Sequence, residues 1–180
     1  DGTPIELKTP ADSIRVGIAL VTEDRKQTGL SLTASVAHNI TIANLPHYTR
    51  LGFLDETAEH KSVAEQIKRF SIKVASPEQP VQRLSGGNQQ KVVLARCLDA
   101  GPRILICDEP TRGVDEGAKR EIYAFLSAFA AEGNSVLMIS SEIPEILGNS
   151  DRIIVFRRGR IAGELPGSEA TQEALVHLAS

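Results

Sequence analysis

Leu84-Ser85-Gly86-Gly87-Asn88-Gln89-Gln90-Lys91, followed one helix later by Ile104-Leu105-Ile106-Cys107-Asp108-Glu109-Pro110, decides how the rest of the chain is read. From Ser85 to Ala100 the apolar residues Val92, Val93, Leu94, Cys97 and Leu98 give a helix one side, and Gly101-Pro102 stops it. Ile104 to Cys107 is a four-residue apolar run of the kind that forms a buried strand. A helix N-terminus presents unpaired N–H groups and a partial positive charge, which suit a phosphate. Gly86 and Gly87 let that backbone approach an anion closely, and Ser85 adds a hydroxyl donor. At the other end of the stretch, a strand delivers two adjacent carboxylates to the carboxyl edge of a sheet, where α/β folds bind ligands. Asp108 suits Mg²⁺, directly or through water, and Glu109 suits a general base acting on water. Taken singly, Ser-Gly-Gly is also an ordinary capping turn and Asp-Glu an ordinary solvated one. Their order and spacing are what make the pair specific.

Outward from this stretch, strands and helices alternate. Thr9-Pro10 reads as an N-cap and first helical residue, with Gly17 ending a short helix before the apolar run Ile18 to Val21. A polar loop, Thr22 to Gly29, follows. Residues 35 to 75 carry few strand signals, and Val63, Ile67, Phe70 and Ile72 give an approximately helical stripe over about 56 to 73. Downstream, Ala118, Ile122, Phe125, Leu126 and Phe129 fall on one helical face. Val136 to Ile139 reads as a further strand, a short helix spans about 142 to 147, and residues 153–156 and 160–164 form a hairpin through Arg158-Gly159. A last helix covers about 168 to 179. This alternation predicts an α/β fold with a mostly parallel sheet and a small helical subdomain.

The bulk properties narrow the function classes. A net charge of −3 over 180 residues argues against a nucleic-acid binder. The compact basic cluster Arg157-Arg158-Gly159-Arg160 reads as a solvated hairpin turn. No apolar run approaches the roughly 18 residues of a membrane span. Cys97 and Cys107 sit among apolar neighbours and read as buried, reduced packing residues, with no Cys or His at ligand spacing.

The order Leu84-Ser85-Gly86-Gly87, Asp108-Glu109-Pro110, then Gly113-Val114-Asp115 before the next helix resembles the ATP-binding cassette family: signature, Walker B strand and D-loop. Val21-Thr22-Glu23-Asp24-Arg25-Lys26, LSGGNQQK and Ser140-Ser141-Glu142-Ile143-Pro144-Glu145 are similar to the C-terminal cassette of ATPases that serve ribose, galactose, arabinose or xylose import. The resemblance covers essentially the whole chain. It implies a P-loop NTPase-like sheet and a partial nucleotide-binding domain over 1–180, with a helical subdomain at 34–100 and the Walker B strand, D-loop, switch region and C-terminal hairpin at 101–180. It implies ATP and Mg²⁺ as cofactors and hydrolysis of ATP coupled to sugar import. It further implies a second cassette, membrane permease subunits and, indirectly, a periplasmic sugar-binding protein as partners, with no nucleic acid, at the cytoplasmic face of the plasma membrane. On this resemblance Ser85, Gly86, Gly87, Gln89 and Asp115 contact nucleotide held by the partner cassette. Asp108 and Glu23 are the metal-side carboxylates, and Glu109 and Ser141 are the catalytic and switch positions.

Three departures qualify the resemblance. No GxxxxGK[ST] occurs, and the chain opens Asp1-Gly2-Thr3 with Met138 its single methionine, so the Walker A loop is expected upstream of Asp1. The 180 residues alone are therefore expected to turn over no ATP. Glu23 stands where a glutamine is expected, and Ser141 where a histidine is expected, which points to a weak site of its own. If the family's strand order holds, the missing strand lies between 136–139 and 153–156. Either residues 153–164 then move over to close that gap, or another copy or segment fills it. Two other classes compete. An ATPase acting on DNA or ribosomes should show heptad arms or a basic linker, and neither is visible. A non-catalytic cassette that docks to a permease or completes a partner's site stays open at this stage.

Overall fold

The computed structural model describes residues 4–180, in two compact units that divide between Leu137 and Met138. In the first, α1 (Pro10–Arg15) is opened by a reciprocal cap. The Asp12 amide donates to the Thr9 hydroxyl, and the Asp12 carboxylate accepts the Thr9 amide at 2.9 Å. Gly17, at φ +82°, turns the chain from α1 into β1 (Ile18–Val21), a conformation only glycine adopts without strain. The loop expected next contains a single π-turn, Arg25–Gly29, capped by Asp24.

The 35–75 region folds as α2 (Val36–Thr41), a 3₁₀ segment over 42–48, a two-residue ribbon of β2 (Thr49–Arg50) and β3 (Phe53–Leu54), and α3 (Glu56–Arg69). Next come α4 (Gly86–Asp99), β4 (Ile104–Asp108), α5 (Glu116–Ala131) and β5 (Ser135–Ile139). The helix α4 is the hub. Val92, Val93, Leu94 and Ala95 are all fully buried, because it packs against β1 on one side and α2, α3 and α5 on others. At its C-terminal end, Asp99 accepts hydrogen bonds from Tyr48 Oη and Ser62 Oγ, each at 2.6 Å, which ties the 3₁₀ segment and α3 to α4.

The sheet order is β1-β4-β5, with β1 and β4 parallel and Ile18 opposite Ile104. Ala19, Val21, Leu105 and Cys107 line the covered face. Leu20, Ile104 and Leu137 remain exposed on the other. A cavity of about 530 Å³ lies beside that face, between α1, β1 and α4. Cys97 and Cys107 are buried and unpaired with each other. Burial pushes the Cys97 thiol up to about 11 and the Cys107 thiol higher still, which makes both inert packing groups, as expected.

The second unit holds α6 (Ile143–Asn149), the hairpin β6 (Arg152–Arg157) and β7 (Arg160–Pro166), and α7 (Gln172–Ala179). Arg158 and Gly159, both at positive φ, make its tight turn. Gly163 of β7 leaves room for Leu178 of α7, whose Cδ2 would lie 2.8 Å from a Cβ there. Among the described residues β6 pairs with β7 alone, and no strand pairs with the second edge of β5. The expectation that residues 153–164 move over to close the gap is thus corrected. β6 and β7 satisfy the backbone groups that face each other by pairing together, and the hairpin packs on α7.

Candidate nucleotide site

The site grows from the start of α4. Ser85 is the N-cap, exposed, with its Oγ accepting from the Asn88 amide at 3.4 Å. The amides of Gly86 and Gly87 have no acceptor among the described residues. Two open N–H groups and a hydroxyl at the positive end of a 14-residue helix make an anion-facing turn.

Both glycines are closely approached by their neighbours, Gly87 by a carbon fixed to the α5 backbone and Gly86 by a movable guanidinium and a backbone carbonyl. A Cβ on Gly86 would lie 2.8 Å from Arg25 Nη2 and 3.2 Å from the Gly113 carbonyl oxygen. A Cβ on Gly87 would lie 2.8 Å from Ala118 Cβ. The glycines predicted from sequence to admit an anion therefore also admit the 111–115 loop. That loop is fixed by Arg25, which donates from Nη1 to the Arg112 carbonyl at 2.8 Å and from Nη2 to the Gly113 carbonyl at 3.3 Å. In return, the Arg112 guanidinium pairs with the Glu23 carboxylate. Glu23 and Arg25 on one side and Arg112 and Gly113 on the other thus clasp each other twice.

Asp115 caps α5 by accepting the Ala118 amide at 3.0 Å, and its Oδ2 lies 3.6 Å from where a Gly87 Cβ would be. The Ala118 amide, and to a lesser degree the Lys91 charge, hold its carboxyl below the usual carboxylate range. Asp108 ends β4, half-buried. Glu109 follows it at φ +46°, in the left-handed region, and its carbonyl accepts the Arg112 amide at 3.1 Å. A non-glycine residue held there stores strain of roughly 1–3 kcal/mol, and such residues cluster at functional turns.

The structure therefore brings Ser85, Gly86, Gly87 and Asp115 together, and the Asp108-Glu109 turn leads into the same loop. Two expected residues are placed otherwise. Gln89 is buried, its Nε2 donating to the Val81 and Leu84 carbonyls at 3.3 and 3.2 Å, so its amide is turned away from the exposed face of the turn. Glu23 spends its carboxylate on Arg112, so a metal role for it requires that ion pair to open. Among the described residues no group of three or more His, Cys, Asp or Glu gathers as a metal-ligand cluster. A Mg²⁺ held by one carboxylate plus water and phosphate oxygens needs no such cluster, and Asp108 fits that donor set. Ser141 lies in the second unit, exposed, two residues after the end of β5. Its neighbour Ser140 accepts the Glu142 amide at 3.0 Å and donates to Glu145 at 2.8 Å, so Ser140 shapes the turn into α6. Arg25 and Asn88 were not singled out from sequence. Arg25 sits in a charged loop with no periodicity to mark it, and Asn88 stands beside Gln89 in a polar run.

The family described as ABC transporter matches residues 1–112. The chain is 49% identical over 179 residues to the ribose import ATP-binding protein RbsA of Bacillus subtilis (strain 168), covering 99% of this chain and 36% of that protein. It is 49% identical over 176 residues to the xylose import ATP-binding protein XylG of Pseudomonas syringae pv. tomato, covering 98% of this chain and 33% of that one. The chain thus spans about a third of the length of these relatives. Among solved structures, the fold is similar to an ATP-binding cassette of an ABC transporter (TM-score 0.77, 22% identity, 95% of this chain and 71% of that one). It is also similar to a dimeric post-hydrolysis cassette bound to ADP and Pi (TM-score 0.71, 24% identity, 84% of this chain and 63% of that one).

Proposed function

The chain belongs to the ABC transporter family, and we propose that it is part of the ATP-binding and hydrolysing subunit that powers monosaccharide import. The observation that carries the proposal is the Ser85–Gly87 turn. It offers one hydroxyl and two open amides as phosphate donors, and it is fitted without Cβ atoms against the loop bearing Asp115. Similarity over 98–99% of this chain to about a third of ribose and xylose import ATP-binding proteins supports the substrate class.

In this reading Ser85, Gly86 and Gly87 bind the terminal phosphates of an ATP held by a second cassette, with Asp115 buttressing the turn. Asp108 holds Mg²⁺, which neutralises phosphate charge when bound, and Glu109 takes the proton of the attacking water. Ser141 stands at the switch position, where a hydroxyl can donate to a phosphate but cannot carry charge as an imidazolium does. The subunit works at the cytoplasmic face of the membrane with permease subunits and, through them, a periplasmic sugar-binding protein. The 180 residues contain no Walker A loop, so ATP held at this cassette's own site needs residues beyond them.

The Glu23–Arg112 pair and Ser141 favour a second reading, in which the cassette only completes its partner's site. One experiment separates the two. In the full-length protein, Ser85→Arg should lower ATP turnover by about 100-fold, the scale of losing a phosphate or oxyanion donor. Glu109→Gln should cost less. A loss from Glu109→Gln equal to or larger than that from Ser85→Arg refutes this division of labour. A silent Glu109→Gln beside a damaging Ser85→Arg establishes the non-catalytic reading.

A further inference from the structure

A hydroxyl oxygen has one proton to donate and two lone pairs to accept with. Both lone pairs of Ser85 Oγ are occupied from the same residue. The Asn88 backbone amide donates to it at 3.4 Å, and Asn88 Nδ2 donates to it at 2.9 Å. Among the described residues no acceptor lies within reach of the Ser85 proton, and the side chain is exposed. The proton is therefore directed away from the helix, toward whatever faces the turn.

The orientation of the Asn88 amide is fixed independently. The Lys73 backbone N–H, which can only donate, reaches Asn88 Oδ1 at 2.8 Å. The oxygen must face Lys73, and the NH₂ must then face Ser85, so the alternative flip of the amide is excluded. The Lys73 segment is itself held. Ile72 is buried, its amide donates to the Ile67 carbonyl at 2.9 Å, and Lys91 Nζ reaches the Ser71 carbonyl at 3.4 Å while pairing with Glu121. A chain of contacts therefore runs from α5 through Lys91 and residues 71–73 to Asn88 and ends on one hydroxyl.

We propose that Asn88 is a positioning residue that commits the Ser85 hydroxyl to outward donation, toward a phosphate oxygen of a bound nucleoside triphosphate. The inference rests on the role of Ser85 proposed above. Without the Nδ2 donor, a Ser85 lone pair is free and the hydroxyl rotates among several partners, water included, so a donor fixed in advance becomes one that must be ordered at each turnover.

The test is a cycle of Asn88→Ala and Ser85→Ala, singly and together, in the full-length protein, with kcat and KM measured for Mg-ATP. Asn88→Ala should lower kcat about tenfold when Ser85 is present, a fraction of what deleting a whole donor costs. In the Ser85→Ala background it should cost less than about twofold, because residues that act through one another are not additive. A structural role through Lys73 would cost the same in both backgrounds, and that result overturns the proposal while leaving the role of Ser85 intact. If Ser85→Ala alone leaves turnover unchanged, the reading of Ser85 and this inference fall together. If Asn88→Ala does not fold, Asn88→Ser takes its place in the cycle, with the same two outcomes deciding.

Discussion

Replacing Gly87 by alanine should destabilise the chain, although alanine is the better helix former. The added Cβ would stand 2.8 Å from Ala118 Cβ, an atom anchored one bond from the backbone of α5. Carbon atoms in contact sit at about 3.5–4.0 Å, so α4 and α5 must separate by roughly 0.7–1.2 Å at this end. Overpacking of this kind costs about 1–3 kcal/mol. The gain in helix propensity returns at most about 1 kcal/mol. The net expectation is a loss of about 1–2 kcal/mol, or a fall in melting temperature of roughly 3–6 °C for a chain of this size. Thermal melting and urea titration of the Gly87→Ala chain measure it. Removing the opposing atom with Ala118→Gly supplies the internal control, since the double variant should recover about 1–2 kcal/mol relative to the sum of the singles. A Gly87→Ala chain as stable as the parent, or singles that add, would refute the packing argument for this glycine.

Two further outcomes are expected. Arg25→Ala should loosen the 111–115 loop, seen as faster amide exchange there, with about 1–2 kcal/mol lost in urea titration, and Arg25→Lys should recover less than half of that. One ammonium cannot span the Arg112 and Gly113 carbonyls as two guanidinium nitrogens do, so full recovery by lysine would contradict the clasp. Burial first, and the Asp99 hydrogen bond second, push the Tyr48 phenol up to about 12. The folded chain therefore keeps this proton longer than the unfolded one. Its contribution is complete below pH 10, the ordinary phenol value, and is lost as the pH rises from 10 through about 12. Urea midpoints across that window should fall less steeply for Tyr48→Phe, and an unchanged slope would exclude Tyr48 as the cause.

Much of this was legible in the chain itself. Thr9-Pro10, Ser85-Gly86 and Asp115-Glu116 mark helix starts because a short polar side chain can cap unpaired amides wherever the helix later packs. The runs at 18–21 and 104–107 became adjacent parallel strands, with Ala19, Val21, Leu105 and Cys107 on the covered face, while Leu20 and Ile104 stay exposed on the other, which the unbroken apolar runs did not foretell. Helix α2 escaped notice, since six residues followed by a 3₁₀ segment with Pro46 inside give no sustained period. At the site, the sequence alone determined the motif residues: Ser85, the two glycines, Asp108, Glu109 and Asp115 are local signals carried by side-chain type and spacing. What those residues face was decided only by tertiary structure. Arg25 is 87 and 88 residues from the carbonyls it holds, and Lys73 is 15 from the amide it orients. The pairing of Glu23 with Arg112 is likewise a long-range outcome, whereas the inward turn of Gln89 is set by carbonyls only 5 and 8 residues away. Hydrogen-bond partners of loops are set by which chain segments the core brings within 3 Å, and no local pattern in either segment records that distance.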